Sequence, residues 1–535
     1  MKNKFIILSS CFLSAMLLFS SCKENKKESN EETTEVTAQS DTDFRPNFHF
    51  TPEENWMNDP NGMFYLNGTY HLFFQHYPEG NTWGPMHWGH ATSKDMINWE
   101  EQPIALEPDE KGYIFSGSAV VDTKNTSGLG DGETPPVIAM FTYHDPKGEK
   151  DGEIDYQSQA IAYSLDEGKT FTKYEGNPVI ENPEIRDFRD PKITRDEVHD
   201  QWVMVLSADD KTMFYTSQNL KDWELASEFG RGLGAHGGVW ECPDFIQMNV
   251  EGTDEKKWVL IQSLNPGGFN GGSGTQYFVG DFDGKTFTLD ESMKGVGEDH
   301  SYWIDFGKDN YAGVTWANIP KENGRTLFMG WMSNWLYAQE VPTETWRSAM
   351  TIARELKLTK TEDTYRVISS PVAELQKYKS EAFTKNSITV EGETQIAASQ
   401  EINLSNSVIS FEIENLKEQE VHFSLSSEGD DVLKFGYDHN KKEFYIDRSK
   451  SGLTDFNENF GDKISIAPRL SEASTLKVKA ILDNMSIELF FDNGETVMTE
   501  IFFPKQAFKK FSADGEESFE ISKIKIHEIK TNNNE

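Results

Sequence analysis

Three short motifs in this 535-residue chain set carboxylic acids among residues that stiffen the backbone: Trp56-Met57-Asn58-Asp59-Pro60-Asn61-Gly62, Phe188-Arg189-Asp190-Pro191 and Trp240-Glu241-Cys242-Pro243-Asp244. A proline within two residues of each acid biases the local backbone toward an extended form and removes a donor. A single Asp-Pro is usually only a turn, but three acids converging among aromatic rings suggest sugar chemistry. Two carboxylates astride a glycosidic bond, one ionised and one protonated, hydrolyse it through an oxocarbenium-like state, and indole faces stack on sugar C–H surfaces. Asn58, Gln75, Trp83, His87-Trp88-Gly89-His90, Phe115-Ser116-Gly117-Ser118 and Trp331-Met332-Ser333-Asn334-Trp335 add the amides, hydroxyls and indoles that suit a neutral polyol.

Other chemistries are less well furnished. Cys242, with His236 upstream, lacks any Cys-His signature around it and reads as a small buried residue beside the acid. His87 and His90 have no supporting Cys/His cluster, so no metal and no cofactor is assigned. The glycine-rich run Asn265 to Gly274 has no Gly-Lys-Ser/Thr to make it a phosphate loop, and is expected at the channel mouth, shaping leaving-group subsites. Trp88 and Trp331 are expected in the core rather than on sugar.

Acids this far apart in sequence must be gathered by the fold. From Phe44 to about Arg366, short apolar and aromatic runs alternate with Gly, Asp, Asn and Pro clusters, the pattern of many short antiparallel strands. A turn element recurs: Ser93-Lys94-Asp95 before Trp99, Ser164-Leu165-Asp166 before Phe171, Ser217 to Asp222 before Trp223, and Asp281-Phe282-Asp283 before Phe287. The closing aromatics are 72, 52 and 64 residues apart. That spacing fits one four-stranded blade per repeat and about five blades, whose innermost strands would line a channel and bring the three acids together. A β-sandwich with coincidental turns is the alternative.

After Ser370-Pro371-Val372 a short helical stretch, Glu374 to Tyr378, is expected as a connector. Strands then alternate, and Asp492-Asn493-Gly494 reads as a hairpin turn into Val497 to Phe503. The expected organisation is therefore all-β: a signal (1–22), a flexible tether (23–43), a five-bladed β-propeller catalytic domain (44–366), a linker (367–386) and a β-sandwich (387–535).

Charge narrows the partners. With 51 Lys and Arg against 89 Asp and Glu, the net charge of −38 would repel nucleic acid and an anionic membrane. Aromatics make up 12% of the chain, too many large rings for disorder. Lys2 and Lys4 followed by an apolar stretch to Phe19 resemble an export signal. Phe19-Ser20-Ser21-Cys22 looks like a bacterial lipobox, which would make Cys22 a lipidated residue anchoring the chain at the periplasmic or outer face of a membrane. An ordinary cleaved signal and secretion are the alternative. Cys242 is then alone in the mature body, so no intrachain disulfide forms there.

Trp56 to Gly62, Phe115 to Ser118, Arg189-Asp190-Pro191, Glu241-Cys242-Pro243, Asp305 to Asp309 with Tyr311-Ala312, and Gly330 to Met332 with Asn334-Trp335 together resemble glycoside hydrolase family 32, the β-fructosidases. Asp447-Arg448-Ser449 and Leu482 to Phe490 resemble motifs of that family's sandwich. The resemblance implies a five-bladed propeller followed by a β-sandwich, with Asp59 as nucleophile, Glu241 as general acid/base and Asp190 as the acid that holds fructosyl hydroxyls. It also implies Asn58, Gln75, Trp83, Ser116 and Arg189 in the fructosyl pocket, with Phe115 and Trp335 as walls. Arg189, beside Asp190, is expected to keep that acid ionised. The implied substrates are fructan (inulin, levan) and sucrose, cleaved from the end with retention. Endo-levanase or fructosyltransferase action, or a catalytically silent fructan-binding surface protein, are the other readings, and oligomeric state and linkage preference stay open at this point.

Overall fold

The computed structural model describes residues 44–531 apart from 321–323, 415 and 417, so Cys22 and the expected signal and tether lie outside the described residues. Five antiparallel sheets follow one another in sequence from Asn55 to Pro371. Their first strands are Asn55–Leu66, Tyr113–Val121, Phe188–Asp196, Val239–Asn249 and Tyr311–Thr315. Each packs against the first strands of the neighbouring sheets, in a closed ring. This is a five-bladed propeller around a channel.

Closure is made by hydrogen bonds at both ends of the ring. Trp346–Arg347, from the last blade's sequence, pairs in parallel with Asn55 and Trp56 of the first blade. Farther along, Tyr65 N donates to Ala317 O (3.0 Å) and Ala317 N to Met63 O (2.9 Å). First-blade strands thus acquire partners from the end of the domain, which leaves no open edge at the join.

The recurring turn sits at one topological place, between the third and fourth strands of the first four blades. Ser93 Oγ accepts from Asp95 N (3.1 Å) and Met96 N (2.8 Å), and Asp95 Oδ1 from Ile97 N and Asn98 N. Ser217 and Asn219 repeat this arrangement, and the Trp99 and Trp223 indoles each donate back to the turn. Short polar side chains thus mimic backbone turns, and the ring that follows locks the hairpin.

The fifth blade's outer strand, Tyr365–Pro371, runs past the boundary expected at 366, because it pairs along its whole length with Arg354–Lys360 and alternately buries Tyr365, Val367 and Ser369. A 3-10 helix, Ala373–Tyr378, follows as the connector. The sandwich begins at Phe383, not 387, since Phe383–Val390 pairs with Phe519–Glu528. Two six-stranded sheets face each other over rings such as Phe444 and Phe491, 3.8 Å apart and parallel. The turn at Asp492–Gly494 has positive φ at all three residues, and a Cβ on Gly494 would stand 1.8 Å from Ser369 O, so glycine is required there.

The two domains share buried charge. Arg354 of the propeller donates to Asp305 (2.8 Å) of its own domain and to Glu488 (Nε, 3.0 Å) and Thr499 (2.7 Å) of the sandwich. Arg448 of the sandwich donates to Asp309 (2.6 Å) and the Tyr337 hydroxyl (2.7 Å) of the propeller. The Asp305 to Asp309 run therefore has a structural use: Asp305 holds Arg354 at the seam, Asp309 binds Arg448 across it, and Gly307 packs against the Thr499 backbone.

Candidate active site

At one level of the channel all five first strands depart from regular pairing in the same way, with two residues facing one on the second strand. The pairs are Asn58-Asp59 opposite Gln75, Phe115-Ser116 opposite Thr142, Asp190-Pro191 opposite Leu206, Cys242-Pro243 opposite Gln262, and Ala312-Gly313 opposite Gly330. Such bulges re-aim side chains. Asp190 (φ 64°), Cys242 (φ 45°) and Ala312 (φ 52°) adopt the left-handed region, at roughly 1–3 kcal/mol each. The bulges of the first three blades turn Asn58, Asp59, Phe115, Ser116 and Asp190 toward one place.

That place is a cavity of about 210 Å³, lined by Asp59, Asp190 and Glu241 and by Asn58, Gln75, Trp83, Phe115, Ser116, Arg189 and Trp335. Every pocket residue expected from sequence is there. His144, Glu149, Tyr156, Gln157 and Asp187 also line it, and sequence reading gave them no role. They sit outside the motifs, four on or beside the hairpin joining the second and third strands of blade two and Asp187 one residue before the third blade's first strand. An unusually long hairpin was the only available sign of the first four. Tyr311 was visible within a motif but unassigned.

Residues opposite the bulges hold them in place. Asp190 N donates to Thr142 Oγ1 (3.0 Å), which donates to Gln159 Oε1 (2.6 Å). Gln262 Nε2 donates to the Glu241 carbonyl (2.8 Å). Ser116 Oγ donates to Asp59 Oδ2 (2.7 Å), leaving Asp59 Oδ1 buried without a hydrogen-bond partner. Cys242 lies between two acids, its N donating to Asp190 Oδ2 (3.0 Å) and its Sγ 3.4 Å from Asp59 Oδ2. Burial, and then the surrounding carboxylates, push this thiol far up, so it is a neutral spacer and no nucleophile.

Glu241 is held at both oxygens: Arg189 Nη2 donates to Oε1 (2.8 Å) and the Tyr311 hydroxyl to Oε2. Arg189 Nη1 donates to Asp187 (2.6 Å), which also accepts from the Tyr156 hydroxyl (3.3 Å). The guanidinium is thus committed to Asp187 and Glu241, and only its Nε approaches Asp190, at 3.9 Å. This corrects the expectation that Arg189 keeps Asp190 ionised. Burial raises Asp190 most; Arg189 opposes, the Glu241 and Asp59 charges add, and the acid ends at about 7. Asp59 is likewise raised by burial, against the Ser116 hydrogen bond and with the charge of Glu241.

The walls are aromatic. Trp335 stacks on Trp56 (5.7 Å), whose indole N–H donates to Asn58 Oδ1 (2.7 Å). Phe115 lies parallel to His144 (4.2 Å) and meets Trp83 edge-on (6.1 Å). Trp88 and Trp331 are fully buried in the core. His236 stacks on Trp240 and bonds the Leu233 carbonyl. His90 pairs with His71 (3.1 Å) and His87 with the Pro85 carbonyl, and among the described residues no three His, Cys, Asp or Glu side chains gather as metal ligands. Such a pocket can bind one neutral ring and bring a carboxylate, a proton donor and a third acid to bear on it.

Residues 49–371 match the model of the glycosyl hydrolases family 32 N-terminal domain, and residues 373–528 that of the family's C-terminal domain. Among similar curated proteins, the levanase of Bacillus subtilis is 44% identical over 495 residues, covering 92% of this chain and 71% of its own. An extracellular exo-inulinase of Aspergillus niger is 40% identical over 493 residues, 87% of this chain and 90% of its own. The crystal structure of exo-inulinase from Aspergillus awamori superposes with a TM-score of 0.82 at 35% identity, covering 91% of this chain and 98% of that one.

Proposed function

From the premise that this chain belongs to glycoside hydrolase family 32, we propose that it is an exported, exo-acting β-fructosidase that releases terminal fructose from inulin, levan and sucrose with retention of configuration. The observation that carries this reading is the pocket itself, where bulged first strands set Asp59, Asp190 and Glu241 around a space sized for one sugar ring. The relatives named levanase and exo-inulinase support the substrate class.

In the first step Asp59 Oδ1 attacks the anomeric carbon, while Glu241 passes its proton to the leaving glycosidic oxygen and the C–O bond breaks. Tyr311 and Arg189 hold the Glu241 carboxyl through this transfer. Asp190 bonds fructosyl hydroxyls as the ring flattens. In the second step Glu241, now ionised, takes a proton from water, whose oxygen displaces Asp59 and frees fructose. A pocket with room for about one sugar ring favours a chain end over a chain middle.

Chromatography of products from sucrose, inulin and levan incubated separately tests the reading. Fructose alone is expected; oligosaccharides would mean endo action, and lengthened chains transfer. Asp59→Asn is expected to lower turnover by roughly four orders of magnitude, and full activity in that variant would remove Asp59 as nucleophile. Lipidation at Cys22 anchors the mature chain in this reading, and an unmodified Cys22 in the mass spectrum of the mature protein would exclude it.

A further inference from the structure

We propose that Phe269 binds the leaving side of a fructan chain and makes this protein selective for polymers over sucrose. The inference rests on the fructan-hydrolase reading above. Its basis is a regularity of the propeller: the catalytic residues stand near the starting ends of the first strands, so the hairpin between the second and third strands of every blade lies at that same end. Blade one's hairpin carries Trp83, blade two's carries Glu149 and Tyr156, and blade five contributes Trp335 from the segment after its second strand, all of them pocket residues. Blade four's hairpin, Asn265 to Gly274, carries Phe269, which is outside the pocket and 38% exposed.

An exposed ring is ordinarily mobile, but this one is fixed. Phe269 packs at steep angles against Trp303 (6.2 Å) and Phe306 (5.1 Å). Asn270 next to it donates to Ile466 O (2.8 Å) of the sandwich edge and accepts from Ile466 N (3.0 Å). At the other end of the hairpin Ser273 Oγ accepts from Trp335 N (3.1 Å), and Asn334 Nδ2 donates to Gly271 O (3.3 Å). Phe269 and Ser273 stand four positions apart in sequence, at most about 14 Å when extended. The ring is therefore held at the same rim as the wall that Trp335 forms, outside the lining of the pocket. Ile466 (38% exposed) and Ile464 (52%) face outward from the same side of the sandwich edge and continue the apolar surface away from it.

A pre-organised, partly exposed aromatic ring on a braced loop offers apolar surface to sugar C–H groups at little entropic cost. In this assignment sucrose, with a single sugar beyond the scissile bond, stops short of the ring, whereas the longer inulin and levan chains extend across it. Full-length wild type, Phe269→Ala, Phe269→Leu and Phe269→Trp are compared on sucrose, inulin and levan. For Ala and Leu we expect KM on a polymer to rise about fivefold, with kcat and sucrose kinetics within twofold of wild type, and Trp to restore polymer KM. Equal losses on sucrose and polymer, no change on either polymer, or a Leu variant that behaves as wild type would each overturn the assignment. Wild type that releases no fructose from any of the three would instead defeat the functional reading.

Discussion

Among single residues, Asp190 makes the pocket responsive to pH. Its folded value of about 7 exceeds that of an unfolded aspartate, because burial and two neighbouring acids outweigh Arg189. Between about 4 and 7 the folded state therefore binds more protons than the unfolded one, and stability falls as pH rises through that window. Asp190→Asn removes the charge yet keeps an oxygen able to accept from Cys242 N. Thermal melts should show this variant inactive but more stable than wild type at pH 8, by up to a few kcal/mol, with the two converging near pH 4. A variant less stable than wild type at pH 8 would mean that the Asp190 carboxylate is a net stabiliser.

Elements divide their work between the two ends of the propeller. At the active end the bulges depend on the second strands, and Thr142 is the clearest case: its hydroxyl accepts the backbone N–H of Asp190. Thr142→Val keeps the shape and leaves that N–H unpaired, so we expect roughly tenfold lower kcat with little change in KM, and a loss of about 1–2 kcal/mol. At the far end, Ser217 holds the third hairpin through Asn219 N and Leu220 N. Ser217→Ala should cost about 1 kcal/mol in denaturant melts and leave kinetics unchanged. These two ends were unequally legible in sequence. The hairpins at the far end are local, each written within about ten residues as a short polar pair and a closing ring, so the repeat gave away the blade. The three acids were legible for the same reason, each lying close to an aromatic residue and a Pro. The bulges were not, since a bulge is a relation between two strands and no single strand encodes which residue goes unpaired. His144, Tyr156 and Asp187 escaped notice because their value comes only from what folds against them, Phe115 and Arg189.

At the scale of the whole molecule, the propeller and sandwich are joined through charges that neither domain can bury alone. Stripping the sandwich away would leave Asp305, Asp309 and Arg354 short of partners 134 to 194 residues distant, a dependence no local motif reveals. His49 reports on this join. It precedes the first blade, is fully buried, and has Nδ1 2.8 Å from Asp483 and Nε2 2.9 Å from Glu488, both in the sandwich. With a carboxylate at each nitrogen, the ring satisfies both only as the cation. Burial pulls its pKa down, but the bonds and charges of Asp483 and Glu488 outweigh this and leave it at about 9. Glu488 also pairs with Arg354, which Asp305 shares, so the three acids already outnumber the two cations and a neutral His49 would widen that deficit. A histidine raised in this way stabilises fully below its unfolded value of about 6.5, and the contribution is lost as pH climbs through 9. The amount at stake is on the order of 3 kcal/mol. Urea midpoints of wild type should therefore fall between pH 6.5 and 9.5, whereas those of His49→Gln, already lower at pH 6.5, should change much less over the same interval. Parallel curves for the two proteins would show that the imidazolium is not what the join depends on.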